Sequence, residues 1–349
     1  MVDEIQKILE YAKNAPSGDN SQPWRFKILK NSLEIFVVPT ADNPILNYNL
    51  RGSLIAHGAI LENIFLSAAK HGFGVEMKLN NDYLQNNKIA SLVFAKDTLS
   101  TNPLATAIPN RSTNRTKYST RSLDRAEITD FQKLSVSPAE VKILNTPEKI
   151  QRLAENLSLA EYVFLRTQKL HKLLFDDLVW SKEEELQKKR GLYVATLELT
   201  PPALMVMRMA RNWTLMRVFR KIGLPSVVAS ENARVYASSG AIGAIIVPNE
   251  NTNFISAGRT LERIWLHATN IDMGLQPLNG IVFLGMSKKT LATVLSPEDK
   301  KVVEEGLRII YEEFAVGHNK TIATVFRVGQ IIKAPSAHSS KGELVDLMI

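Results

Sequence analysis

Eleven residues of this chain return, in modified form, two hundred positions later. Gly58-Ala59-Ile60-Leu61-Glu62-Asn63-Ile64-Phe65-Leu66-Ser67-Ala68 aligns with Gly258-Arg259-Thr260-Leu261-Glu262-Arg263-Ile264-Trp265-Leu266-His267-Ala268. Both segments place apolar residues at the helical period, and both hold a glutamate beside the apolar positions. Any two amphipathic helices share apolar pattern; the shared glutamate is the less expected part. Six residues past each segment stands a glycine, Gly74 or Gly274, which predicts a helix stop there. A repeat at this spacing points to two similar halves. With 349 residues, 45% of them hydrophobic and 22% charged, the chain is long and apolar enough to give each half a core.

The elements around these two segments alternate in type. Ile5, Ile8, Leu9 and Ala12 predict a helix over 3–14, followed by strands at 24–30 and 33–39. A helix at 53–70 and strands near 75–80 and 89–96 complete the first half, and a connector is expected over 99–110. Beyond it the pattern predicts a helix at 127–134, a strand at 141–145 and helical stretches at about 147–170, 172–190 and 202–222. Strands are expected at Ala241–Val247, Gly280–Leu284 and Ile322–Val328, with helices at 257–270 and 297–315. The mixture predicts an α+β fold with mixed sheets.

Composition removes several function classes. There is no cysteine, which excludes disulfides, thiolate catalysis and zinc–thiolate sites. The six histidines fall at no metal-ligand spacing, so no metal is expected. Met1-Val2-Asp3-Glu4-Ile5 does not read as a signal peptide, and no apolar run of about 18 residues suggests a membrane span. A cytoplasmic location is the expectation. The net charge of +8 suits anionic partners, yet the cations are spread along the chain and no nucleic-acid module is recognisable. Nucleic-acid binding through Arg111, Arg115 and the 208–221 helix is thus a minor alternative, with steep salt dependence as its mark.

Four stretches carry chemistry. Pro16-Ser17-Gly18-Asp19-Asn20-Ser21-Gln22-Pro23-Trp24 is a rigid polar loop between a helix and a strand, a platform for a polar, planar ligand. Arg111, Thr113 and Arg115 bring two guanidiniums and a hydroxyl into five residues, and a guanidinium fork matches phosphate oxygens. Gly274-Leu275-Gln276-Pro277-Leu278-Asn279-Gly280 reads as a turn in which glycine lets backbone approach a ligand. Near the end, Ser340 and Lys341 add a hydroxyl and a cation. Taken singly, each also reads as ordinary structure: a capping loop, a solvated basic turn, a frayed tail.

Together, and in this order, the motifs resemble those of the FMN-dependent nitroreductase family, over about residues 5 to 345. The resemblance implies that Pro16, Ser17, Gly18 and Asn20 form a flavin-contacting loop. It implies that Arg111, Thr113 and Arg115 hold the FMN phosphate and the flavin N1/O2 edge, and that Ser340 and Lys341 close on the phosphate. Pro277, Leu278, Asn279 and Gly280 would lay backbone against the flavin, with the Gly280 N–H at N5. No catalytic acid or base is obligatory in that scheme. In homodimeric members each FMN draws on two subunits. Here the loop occurs only in the first half and the remaining motifs only in the second. The chain accordingly resembles the single-chain, Acg-type branch, which implies an intrachain pseudo-dimer with one FMN site. The halves would be 1–105 and 106–349, the second carrying a helical lid insertion at about 172–222. Its basic, Met-rich helix Leu204–Arg220 has the composition of a membrane-lying or partner-binding helix, and is expected to pack over the flavin edge instead.

Three departures stand out: Asn279 where many members have glutamate, Lys341 for the commoner arginine, and Gly18 in place of a hydroxyl. The implied activity is hydride transfer from NAD(P)H through FMN to a small conjugated oxidant such as a nitro compound or quinone. The rival reading is a protein that sequesters FMN under the lid with little turnover. The expected assembly is a monomer, with further association open.

Overall fold

The computed structural model describes residues 1–97 and 102–349. Part of the expected connector, Leu99-Ser100-Thr101, lies outside the described residues. In the first half, helix α1 (Val2–Ala12) precedes strands β1 (Trp24–Ile28) and β2 (Ser32–Val37). Helix α2 (Arg51–Lys70), strand β3 (Phe73–Leu79), the short helix α3 (Tyr83–Asn86) and strand β4 (Lys88–Lys96) follow. The four strands form an antiparallel sheet in the order β1-β2-β4-β3. Burial alternates along β2, where Leu33, Ile35 and Val37 face the core.

The second half repeats this plan. Helix α4 (Arg125–Lys133), strand β5 (Glu140–Leu144), strand β8 (Ala241–Pro248), helix α12 (Asn253–Asn270), strand β9 (Met273–Pro277) and strand β10 (Lys320–Gln330) arrive in the same sequence of types. Their sheet, β5-β8-β10-β9, is again antiparallel, and its strands have the same spatial order as those of the first half. Two insertions distinguish it. Between β5 and β8 run α5 (Pro147–Leu157), α6 (Leu159–Arg166), α7 (Gln168–Asp176), β6 (Leu178–Val179), α8 (Lys182–Lys188), β7 (Leu192–Tyr193), α9 (Pro201–Ala210), α10 (Trp213–Lys221) and α11 (Leu224–Ala237). Between β9 and β10 run α13 (Gly280–Gly285), α14 (Lys288–Val294) and α15 (Pro297–Glu313).

The repeated segments lie on α2 and α12, which pack against each other at the centre of the molecule. Gly58 and Gly258 meet where these helices cross. A Cβ on Gly58 would stand 2.1 Å from the Ile255 carbonyl oxygen, and one on Gly258 would stand 1.9 Å from that of Ile55. Only glycine permits such an approach. Helix α2 is apolar nearly all round because it is enclosed. By length and composition it would pass for a membrane span, contrary to the expectation from sequence, yet it is a core helix. Its buried His57 is held by the Ser53 and Phe36 carbonyls at 2.7 and 3.3 Å, and burial lowers its pKa.

Several expected boundaries shift. Gly74 and Gly274 do not end helices; each is the second residue of a strand, β3 or β9, and the helices stop four residues earlier. Gly280–Leu284 is helix α13, not a strand. The Asn279 side-chain oxygen takes up the Val325 amide at 3.0 Å and the Thr324 hydroxyl at 2.8 Å, and the chain turns into a short enclosed helix. The long helices expected between 147 and 222 are broken. Asn212 is one cause: its side chain accepts from the Thr214 and Leu215 amides and caps α10. Gly223, at φ +86°, then opens α11, which sequence pattern did not reveal. Both four-stranded sheets are purely antiparallel rather than mixed; the two-residue strands β6 and β7 pair in parallel.

Candidate functional site

A cavity of about 540 Å3 is lined from both halves. The first half supplies the polar loop after α1, the turn at 42–47 and one side of α2. The second supplies 111–115, Trp265 of α12, the β9–α13 turn, parts of α6 and α7, residues 190–196, and the C-terminal stretch 337–341.

The loop is built against backbone preference. Asp19, Asn20 and Gln22 all have positive φ, between 44° and 55°. Such residues cost on the order of 1–3 kcal/mol each and persist where their surroundings over-determine them. Here Gln22 supplies much of that constraint. Its amide nitrogen donates to the Lys189 carbonyl at 2.7 Å, its side-chain oxygen accepts the Gly342 amide at 2.8 Å, and its backbone N–H donates to Ser17 Oγ at 3.0 Å. The C-terminal stretch reaches the loop because the tail returns to β1, where the Ile349 amide donates to the Phe26 carbonyl at 2.9 Å.

The segment 111–118 is fixed by Arg327, a fully buried cation in β10. It donates to Gln276 Oε1 at 2.8 Å, to the Thr116 carbonyl at 2.7 Å and to the Val235 carbonyl at 2.8 Å, and lies over the Tyr118 ring at 4.0 Å. Trp265 Nε1 adds a bond to the Ser112 carbonyl at 3.1 Å. This framework points Arg111 and Arg115 at the cavity.

Arg111 rests over the Trp265 ring at 4.4 Å and donates to the Asn14 carbonyl at 2.9 Å. Its Nε stands 3.5 Å from Glu262 Oε1 and makes no hydrogen bond among the described residues. Close by, Lys341 Nζ donates to the Ala15 carbonyl and to Asn20 Oδ1, both at 2.8 Å. Burial, and then the neighbouring Arg111, push the Lys341 ammonium down to about 7. Burial pushes the Glu262 carboxyl up to about 7, against the pull of Arg111. Two enclosed cations facing one carboxyl of raised pKa form a place that an anion would stabilise.

Arg115 points elsewhere in the cavity, donating to the carbonyl and hydroxyl of Thr196 at 3.1 and 3.3 Å. Asp19, exposed on the polar loop, also borders the cavity. Glu161 of α6 is a further acid. Its Oε1 accepts from Tyr236 Oη at 2.9 Å, its Oε2 has no partner among the described residues, and burial raises it to about 7.

Of the residues named from sequence, Pro16, Ser17, Gly18, Asn20, Arg111 and Thr113 line this one cavity, as do Arg115, Pro277, Asn279, Gly280 and Lys341. Leu278 does not: its side chain is buried in the core of the second half. Nor does Ser340, whose amide donates to Glu185 and whose carbonyl accepts from Asn20 at 2.8 Å. Gly280 is glycine for a visible reason, since a Cβ there would stand 2.7 Å from that of Ala160. Sequence reasoning missed Thr196 and Glu161 in the cavity wall, and the supporting roles of Gln22 and Tyr236, which do not line it. Gln22 stood within the recognised loop; Glu161, on a helix among apolar residues, carried no distinguishing signal.

The Met-rich helix expected over the flavin edge is two helices, α9 and α10, and neither lines the cavity. The part of the insertion that does so comes earlier, at Leu173, Leu174, Asp177, Arg190–Leu192 and Thr196.

No family model matches the chain. It is 25% identical over 288 residues to an uncharacterised protein of Mycobacterium tuberculosis. It is 28% identical over 120 residues to a protein of the same organism named "Putative NAD(P)H nitroreductase". These matches take in 81% and 33% of this chain but only 40% and 34% of the relatives' own lengths. Among solved structures, an FMN- and NADPH-dependent nitroreductase from Sphigopyxis sp. strain HMH is similar at 12% identity, covering 71% of this chain and 97% of that one, with TM-score 0.39. A nitroreductase with bound FMN from Bacteroides fragilis is similar at 11% identity, covering 70% and 95%, with TM-score 0.35. The solved structures that this chain resembles are thus nitroreductase-family proteins.

Proposed function

We propose that this chain binds FMN in the shared cavity and transfers hydride from NAD(P)H to a small conjugated acceptor such as a nitro compound or quinone. The observation that carries the proposal is the convergence of Arg111 and Lys341, two enclosed cations from segments 230 residues apart, beside a loop held in a strained conformation. They fit a phosphate monoester: a fork with an unused Nε and a point charge, facing a cavity whose size is in the range of small-cofactor sites.

Arg111 and Lys341 would hold the phosphate, with Asn20 fixing Lys341 in place. Arg115, anchored by Thr196, would favour added negative charge on the ring system. The β9–α13 turn at Pro277–Gly280 would set its orientation. Bound FMN would supply the hydride chemistry itself. Glu161 offers a proton at near-neutral pH, and Tyr236 keeps its carboxyl turned in a fixed direction.

The topology favours reading residues 1–105 and 106–349 as two protomer-like halves of a single-chain pseudo-dimer, with one site assembled from complementary contributions. The specific acceptor and the choice of NADH or NADPH belong to this same proposal. One observation favours sequestration as a second reading: residues 173–196 of the insertion wall the cavity and grip Arg115.

Purification without added cofactor, a visible spectrum, and anaerobic addition of NADPH or NADH test the proposal. About one FMN per chain that bleaches within turnover times is expected. A yellow protein that stays oxidised would favour sequestration. A colourless protein that cannot be reconstituted would overturn both readings.

A further inference from the structure

The stretch 199–230 holds five cations, Arg208, Arg211, Arg217, Arg220 and Lys221, and no aspartate or glutamate. It forms α9, α10 and the start of α11, which are apolar on two sides. Inward, Met207, Ala210, Trp213, Met216 and Phe219 pack with Leu165, Phe175 and Leu178 of the preceding insertion. Outward, Met205 is 65% exposed, Val218 55%, Ile222 74% and Val227 56%, joined by Met209 and Leu215. The spacing puts Met205 with Met209 on one face of α9, and Leu215, Val218 and Ile222 along one face of α10. Arg217 and Lys221 lie one position to the side of that row, and both are exposed. Arg211 and Arg220 lean on the Trp180 and Trp213 rings at 5.5 and 5.8 Å.

From this juxtaposition we infer that the α9–α10 segment docks on an anionic lipid surface. Outward aliphatic and methionine side chains enter the headgroup–acyl boundary while the flanking arginines and Lys221 meet lipid phosphates. Charge complementarity selects this occupant over a second copy of the chain. An isologous contact would set five cations against five cations with no carboxylate in the stretch to neutralise them. The flexible, unbranched methionines suit a fluid partner better than a fixed protein surface. Binding here would not span the bilayer. It is independent of whether FMN occupies the cavity, although the same insertion supplies Thr196 to Arg115.

The test is co-sedimentation of the full chain with phosphatidylcholine vesicles, and with 3:1 phosphatidylcholine:phosphatidylglycerol vesicles, at low and high salt. Binding to the anionic vesicles only, weakened by salt, is expected. The Arg208→Gln/Arg217→Gln/Lys221→Gln variant should partition about a hundredfold less. Met205→Ser/Ile222→Ser should partition at least about tenfold less at unchanged charge. Circular dichroism melts check that both variants fold. Equal binding to neutral vesicles, no binding to either, or undiminished binding of the folded triple variant would overturn the inference. So would duplex DNA binding of equal strength, or a dimer in ultracentrifugation that Ile222→Glu disperses while vesicles bind nothing.

Discussion

Replacing Arg111 by alanine separates a phosphate-binding role from a structural one. In the folded chain the guanidinium is held by Trp265, the Asn14 carbonyl and the charge of Glu262. Against a phosphate it would add two charge-assisted hydrogen bonds, each contributing roughly 1.5–3 kcal/mol. Part of that is offset by leaving its present neighbours, so a net loss of about 3 kcal/mol is expected on truncation. That corresponds to FMN affinity lower by on the order of a hundredfold. The orphaned Glu262 adds little repulsion, because its carboxyl already titrates near 7 and takes up a proton once Arg111 is gone. Its raised pKa has a separate mark. A carboxyl that titrates higher folded than unfolded loses stability as pH rises between the two values, so the variant should melt relatively lower at pH 8 than at pH 6. The assay is titration of apoprotein by flavin fluorescence, with riboflavin beside FMN. Riboflavin lacks the phosphate, so the variant should hold it within about threefold of the parent. An unchanged FMN affinity, or an equal loss for riboflavin and FMN, would refute the phosphate assignment.

Further outcomes follow from the site and from the helix crossing. As pH rises through about 7, Lys341 loses its proton and Glu262 becomes charged, so both changes oppose an anion; FMN dissociation constants should rise at least about tenfold from pH 6.5 to 8.5. Lys341→Arg should flatten that rise, which isothermal titration at several pH values would show. At saturating FMN, a turnover limb that falls above about pH 7 should vanish in Glu161→Gln with flavin content unchanged; a retained limb in steady-state rates would remove Glu161 from proton delivery. Gly258→Ala gains about 1 kcal/mol of helix propensity but drives a methyl into the Ile55 carbonyl, an overpacking cost of about 3 kcal/mol or more. The melting temperature should fall by about 3 °C or more in calorimetry, and an unchanged or raised value would contradict the close helix crossing.

Much of this architecture was legible because its causes are local. The strand at β2, the apolar stripe of α1 and the repeated segments of α2 and α12 show in the residues themselves, whereas the meeting of Gly58 with Gly258 does not. Gly280–Leu284 misled because a short, fully enclosed helix and a buried strand are both runs of apolar residues. What separates them is the Asn279 side chain reaching Val325, a contact 46 residues away in sequence. The breaks at Ser158, Thr167 and Asn212 were obscured by continuous helical composition on either side. At the site, the loop and the arginines announced themselves by residue type. Glu161 did not, since its pKa is raised by burial, which the Tyr236 hydrogen bond only partly opposes, and burial is set by the tertiary fold.

The meeting of Gly58 and Gly258 also bears on how the chain can vary. In an assembly of two identical subunits, one codon sets both faces of such a contact, and every change arrives twice. Here the two positions are inherited separately, yet each still confines the other, because neither helix leaves room for a methyl. A few residues on, that bond is gone. Position 63 is an asparagine that reaches the Ala12 carbonyl, and position 263 is an arginine that neutralises Glu62. Glu62 has two arginine partners, whereas its counterpart Glu262 stands behind a single arginine that faces the cavity. Within one chain, one copy of a repeated position can serve as scaffold while the other faces the cavity.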